Sequence, residues 1–188
     1  MKNKSTLTLV LTPIIIAIGQ ILYLTVPSIG GVIRPDFSLV SLFLVVMIQP
    51  KFKQAVLSSL LLVTLATILG GNPIFQIPSI FDRLGSAILV LFLYRLLLNS
   101  KQTFFRFKIG GIFMIATAVS GTIYMLATYL FGTFLGLSEL KVVFSMGLPF
   151  LVVAILTTAL VNFFVGMIVY EVLAKIAHGR ILIEKVRI

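Results

Sequence analysis

The sequence predicts an all-α integral membrane protein, a single domain over residues 1–188. It is read as a six-transmembrane-helix bundle with N- and C-termini cytoplasmic. Three observations carry this reading. The chain is 60% hydrophobic and only 11% charged, where a soluble domain carries roughly a quarter charged residues. Apolar runs approaching the ~20 residues that a bilayer requires fill the whole length. Lys and Arg gather at alternate connections between those runs, as they do in cytoplasmic loops.

The first run covers residues 7–26 and follows Lys2 and Lys4. No A-x-A cleavage pattern comes after it, so it reads as a retained helix and not as a removed signal peptide. Pro27, Gly30, Gly31 and Pro35 mark a turn-rich connection. The second run, 37–49, is short enough to be either a crossing or a re-entrant segment. The third, 54–69, stops at Gly70-Gly71-Asn72-Pro73. The fourth covers 80–98 and the fifth 109–131, with the basic stretch "NSKQTFFRFK" between them. The connection from Gly132 to Met146 has room for a short interfacial helix. The sixth run, 147–174, leads into a basic tail that holds the one histidine, His178, read as an interfacial residue.

Charge placement supports six crossings. With both termini inside, twelve basic residues and two acids (Glu171, Glu184) fall on the inner side. Arg34, Arg83 and Lys141 fall outside with Asp36, Asp82 and Glu139. The net charge of +10 therefore lies on one face. If the second run did not cross, every later loop would invert and this segregation would collapse. A basic chain can also signal nucleic acid, but this distribution is that of a membrane protein, and no nucleic-acid partner is expected.

Several chemistries are excluded or disfavoured. There is no cysteine, hence no thiol nucleophile or disulfide. No P-loop pattern and no clustered metal ligands occur, so neither cofactor nor metal is expected. "SGT" at Ser120 to Thr122 has no histidine within the bilayer to activate it, and Ser120-Gly121 reads as small-residue helix packing. An enzyme is not expected.

What remains is a polar set at the outer end of an apolar bundle: Arg34, Asp36, Asn72, Gln76, Asp82 and Arg83, with Asn162 deeper in the sixth run. A zwitterionic solute with an apolar body needs such a set. Its ammonium wants a carboxylate, its carboxylate a guanidinium or helix N-terminus, and its body an apolar pocket. Structural roles stay open beside this one. Ser79-x-x-Asp82 fits a capping pattern at the start of the fourth run, and Arg34-Pro35-Asp36 fits a helix start. As sequence neighbours, Asp82 and Arg83 are expected to point to different parts of the helix surface. Asn162 fits interhelical hydrogen bonding. Glu171 and Lys175 fit an i,i+4 pair. Tyr124 and Tyr129 fit either a pocket lining or an aromatic belt, with the belt favoured for Tyr129.

"RPDFSLVSLF", the Pro-Lys pair after the second run, and "P-x-x-QIPSIFDR" followed by "SA" resemble the bacterial tryptophan transporter family. That family is similar to the substrate-binding S components of energy-coupling factor (ECF) transporters. The resemblance is clearest from the first run to the fourth. It implies a six-helix protein of the bacterial cell membrane that captures a small nutrient, tryptophan favoured, and makes Arg34, Asp36, Gln76, Asp82 and Arg83 the site candidates. Within it, Asp36 or Asp82 would take an ammonium, Arg34 or Arg83 a carboxylate, and Gln76 or Asn72 an indole N–H. For S components it implies a coupling subunit and two ATPases as partners. The docking surface would be the small-residue stretch Pro13-x-x-x-Ala17 with Gly19 nearby, where the first Ala of the usual pair is replaced by Pro. The chain can instead act alone. The absence of Trp fits a carrier needed when tryptophan is scarce. The competing reading is a structural membrane protein of the rod-shape-determination type. Such proteins carry a similar "RPD" turn but often an acid near the end of the third run, where this chain reads "TLATILGGN".

Overall fold

A backbone surrounded by hydrocarbon must satisfy its own N–H and C=O groups, which a helix does within a single segment. The apolar runs accordingly fold as helices. The computed structural model describes residues 2–27, 35–69, 72–98 and 104–177, with side chains from 10 to 171 within those ranges. Seven α-helices follow in chain order among the described residues: α1 Lys2–Thr25, α2 Phe37–Ile48, α3 Phe52–Ile68, α4 Pro73–Leu98, α5 Phe105–Phe134, α6 Ser138–Lys141 and α7 Leu148–Ala177. A short 3-10 turn, Val142–Met146, joins α6 to α7, so the expected short helix in that connection is present. His178 and the rest of the basic tail lie outside the described residues.

The bundle is apolar outside and partly polar inside. On α1 the ridge Val10, Ile14, Ile18, Leu22 is exposed, and on α7 so is the ridge Val152, Leu156, Leu160, Phe164, Ile168. Both ridges repeat every four residues, which keeps them on one helix face. The interior instead holds Ser38, Ser41, Ser58, Ser59, Ser86, Thr117, Ser120, Asp82 and Asn162. Water as the sole solvent would make such an exterior an aggregation hazard, whereas lipid suits it. Two stretches, Phe105–Phe134 and Leu148–Glu171, are each long and apolar enough to cross a membrane by themselves.

At the centre stands α2, in contact with α1, α3, α4, α5 and α7. Every residue from Ser38 to Met47 is buried, and Phe43 packs edge-on to Phe113 of α5 with ring centroids 5.5 Å apart. Its 12 residues are about 18 Å of helix, short of a ~30 Å hydrocarbon core. α2 is therefore a half-length element enclosed by its neighbours.

Glycines set how closely those neighbours approach, Gly19 and Gly166 most tightly among the described residues. A Cβ on Gly19 of α1 would run into Ser41 Oγ and the Phe37 carbonyl of α2. A Cβ on Gly166 of α7 would lie 2.5 Å from Phe113 Cγ of α5.

The fourth helix departs from the sequence expectation. It begins at Pro73, seven residues before Ile80. Asn72 starts it: its Oδ1 accepts from Ile74 N–H at 3.0 Å, and Pro73 takes the first helical position, where its missing N–H costs nothing. Ser79 and Asp82 then fall inside the helix, and the capping role read for Ser79-x-x-Asp82 is not what they do. Ser79 Oγ instead donates to the Phe75 carbonyl one turn back, at 3.2 Å.

Candidate functional site

Depth is what distinguishes the polar residues. Asp82 is the tenth residue of α4, about 14 Å along the helix from its start. Asn162 is the fifteenth of the 30 residues of α7, at its middle. Asp36 stands at the N-terminus of the short α2, which brings it to the same level.

The three are joined by named hydrogen bonds. Asp36 N–H donates to Asn162 Oδ1 at 3.1 Å, and Asn162 Nδ2 donates to Thr117 Oγ1 of α5 at 3.0 Å. The interhelical role expected for Asn162 is thus observed. Asp36 caps α2: its Oδ1 accepts from Leu39 N–H at 3.0 Å and from Ser38 Oγ at 2.5 Å. A carboxylate at a helix N-terminus also meets the positive end of the dipole. The other oxygen of Asp36 accepts from Arg83 Nη1 at 3.3 Å.

Arg83 is bracketed by two carboxylates, since its Nε lies 3.8 Å from Asp82 Oδ2. Sequence neighbours on a helix do not face one another, and the two side chains were expected to diverge. The long Arg83 side chain overcomes that by reaching back across its own helix. Asp82 is only 4% exposed. Its Oδ2 accepts from Ser120 Oγ of α5 at 2.7 Å, while its Oδ1 is buried without a partner among the described residues.

A cavity of about 240 Å³ opens against this cluster. Its polar lining includes Asp36, Asp82, Thr117, Ser120 and Tyr124, and its apolar lining includes Leu39, Met125, Leu151 and Ile155. Met125 and Ile155 also border a larger groove of about 820 Å³ between α5 and α7, walled by Tyr129, Phe144 and Leu148. Cavity and groove together have the size range of small-molecule sites, with a few polar groups in an apolar wall.

The structure gathers Asp36, Asp82, Arg83 and Asn162 into one cluster. Asn72 and Gln76 lie outside it: Asn72 caps α4 at the exposed end and reaches Glu139 Oε2 at 3.5 Å, and Gln76, half-buried, is one turn further along. Arg34 lies outside the described residues. Of the docking stretch, Pro13 is exposed, Ala17 half-buried and Gly19 buried against α2. Glu171 pairs with Arg106 Nη1 across α5 and α7 at 2.6 Å, a contact the expected Lys175 pairing overlooked. The Lys175 side chain is outside the described set. Tyr124 lines the cavity, and Tyr129 stacks edge-on to Phe144 on the groove wall.

Ser120 and Thr117 are functional candidates that sequence reasoning missed. Gly121 does serve packing, with a Cβ there meeting Ile155 at 2.8 Å, but Ser120 holds Asp82. The available signal was spacing: Thr117, Ser120 and Tyr124 recur at three and four residues, a polar stripe along one face of an apolar helix.

Comparison with known proteins adds the family. A family model described as tryptophan transporter TrpP matches residues 5–178. The chain is 26% identical to a probable tryptophan transport protein of Clostridium perfringens, covering 92% of this chain and 94% of the relative. It is 29% identical to a probable tryptophan transport protein of Clostridium acetobutylicum over 89% and 91% of the two chains. A Bacillus subtilis protein of the same description is 28% identical over 55% of this chain and 58% of its own. No solved structure matches.

Proposed function

The chain belongs to the tryptophan transporter TrpP family, and from that premise we propose that it imports tryptophan across the bacterial cell membrane, with the cluster around Asp36 and Asp82 as its substrate site. The single observation that carries the site is a charged, hydrogen-bonded cluster at mid-helix depth opening onto an apolar cavity. Ionisable residues at such depth in a membrane protein mark substrate or ion pathways. The cavity wall suits an indole ring, and α2 begins within the bundle, in the manner of the half-helices that hold substrates in other carriers. The structural, rod-shape reading is not favoured, because each relative named above is described as a transport protein.

Topology belongs to the same proposal. The domain crosses the membrane six times, with both termini inside and α2 as a shielded, half-length crossing. The placement of basic residues supports this, as does the Arg95 guanidinium donating to the Pro50 carbonyl at 2.7 Å. That bond ties the end of α4 to the connection between α2 and α3, the same inner face. A coupling subunit with ATPases is the partner that the S-component resemblance supplies. Pro13 and Ala17 would belong to its docking face, with Gly19 setting the α1–α2 spacing behind it.

The test is tryptophan binding to the purified protein in detergent. The chain contains no Trp, so excitation of indole reports the ligand alone. A saturable spectral shift, competed by indole analogues but not by leucine, is expected. A folded protein that gives no shift would overturn the reading.

A further inference from the structure

We propose that Asp82 Oδ1 is the acceptor for the α-ammonium of the substrate, which makes the cavity beside it a site for a primary ammonium attached to an aromatic body. The inference rests on the tryptophan reading for the body and on the geometry below for the ammonium.

Among the described residues, the charges in the cluster do not balance. Asp36 and Asp82 bring two carboxylates, and Arg83 brings one guanidinium within 4 Å of both. The remaining acceptor capacity is unevenly used. Both oxygens of Asp36 receive donors, and Asp82 Oδ2 receives the Ser120 hydroxyl. Asp82 Oδ1 is buried in the same cavity-lining residue and receives none among the described residues. A buried carboxylate oxygen without a donor is costly. A ligand that carries one positive charge and N–H donors answers both deficits.

The charge of the site favours an ammonium over a neutral donor such as the indole N–H. A neutral N–H would fill the hydrogen-bond vacancy and leave the charge imbalance. A primary ammonium corrects both, and its bond to a carboxylate is among the stronger charge-assisted hydrogen bonds. Leu39, Met125, Leu151 and Ile155 then flank the aromatic body, which can extend past Met125 and Ile155 into the adjoining groove. The guanidinium of Arg83 faces the two carboxylates and is not part of the cavity lining, so it positions Asp82 and Asp36 and is not the first contact for the substrate.

The experiment compares three ligands on the unmodified full chain in detergent: tryptophan, tryptamine (no carboxylate) and indole-3-propionate (no ammonium). Tryptamine is expected to bind within about tenfold of tryptophan and indole-3-propionate at least 100-fold more weakly. In Asp82→Asn the preference for the two amines over indole-3-propionate should shrink to less than about tenfold. Because the ligand series needs no variant, a poorly folding Asp82→Asn does not blunt the test. Indole-3-propionate binding as tightly as tryptophan would overturn the proposal. So would a folded Asp82→Asn that keeps the full preference. Tryptamine binding without tryptophan binding would keep the ammonium site and overturn the tryptophan reading. Tryptophan binding that ignores the ammonium would do the reverse. Binding of none of the three would overturn both.

Discussion

The backbone N–H of Asp36 donates to the side-chain Oδ1 of Asn162, 3.1 Å away and 126 positions later in the chain. The contact ties the N-terminus of the central half-length helix to the midpoint of the last helix. Asn162 passes the connection on to Thr117 of α5, so one fully buried amide joins three helices. Asn162→Leu removes both bonds and leaves the Asp36 N–H without its acceptor. Each such bond is worth roughly 0.5–1.5 kcal/mol. A drop of several degrees in the thermal midpoint in detergent is expected, together with weaker tryptophan binding, since Asp36 shares the cavity. An unchanged midpoint would show that the cluster is not mechanically coupled.

Charge neutralisation makes a sharper prediction. Arg83 is the guanidinium between Asp36 and Asp82. Arg83→Met leaves two carboxylates in the interior, and loss of one partner from a buried ion pair costs about 3–5 kcal/mol. Poor membrane yield or a collapsed thermal midpoint is expected. The double variant Arg83→Met/Asp36→Asn removes one charge of each sign and should recover a measurable part of that loss. A double variant no better than Arg83→Met alone would show that the ion pair contributes through shape only.

Much of this was legible in the sequence, and what escaped has physical causes. Helices, the short connection near Ser138, and the polar candidates Asp36, Asp82, Arg83 and Asn162 followed from hydropathy, charge and turn residues. The start of α4 escaped because Pro78 looks like a helix breaker, yet a helix in a packed bundle accommodates one by local adjustment. The convergence of Asp82 and Arg83 escaped because helix spacing rules describe Cβ directions, and an arginine reaches beyond them. Ser120 escaped because a serine beside a glycine in an apolar helix reads equally as packing. Nothing local to Asn162 names Asp36 as its partner, since 126 positions separate them.

Gly19 separates stability from docking. It lies buried against Ser41 and the Phe37 carbonyl, so Gly19→Ala pushes α1 away from α2. Overpacking of this kind costs typically about 1–3 kcal/mol. The isolated protein, with no other subunit present, should lose thermal stability. Pro13→Leu, at an exposed position inside α1, should not lower the isolated protein's midpoint, since it replaces a helix-interior proline by a residue that can complete the backbone hydrogen bond. Any defect it has would show only in uptake by cells. Equal stability losses from the two variants would contradict the placement of α1.

Arg106 and Glu171 bind at 2.6 Å, but their side chains are 57% and 41% exposed. An ion pair open to a high-dielectric surface contributes at most about 1 kcal/mol and is screened by salt. Glu171→Gln should therefore shift the thermal midpoint slightly, less at high salt than at low, and leave tryptophan binding unchanged. A large loss would mean that this end of α5 and α7 is shielded from water.

Six crossings make a prediction that the absence of cysteine renders simple to check. Single cysteines can report sidedness without background. Lys53 precedes most of α3, and Lys141 ends α6; both are exposed. With termini inside and α2 counted as a crossing, the two lie on opposite faces. Lys141→Cys should react with a membrane-impermeant maleimide in intact cells. Lys53→Cys should react only after permeabilisation. The reverse pattern, Lys53→Cys reacting in intact cells and Lys141→Cys only after permeabilisation, would show that α2, only about 18 Å long, does not connect the two faces, because α2 precedes Lys53 and its loss as a crossing inverts every later face. The charge segregation would then need another cause, because the inner excess of Lys and Arg exists only when residues 51–53 and the two termini share a side.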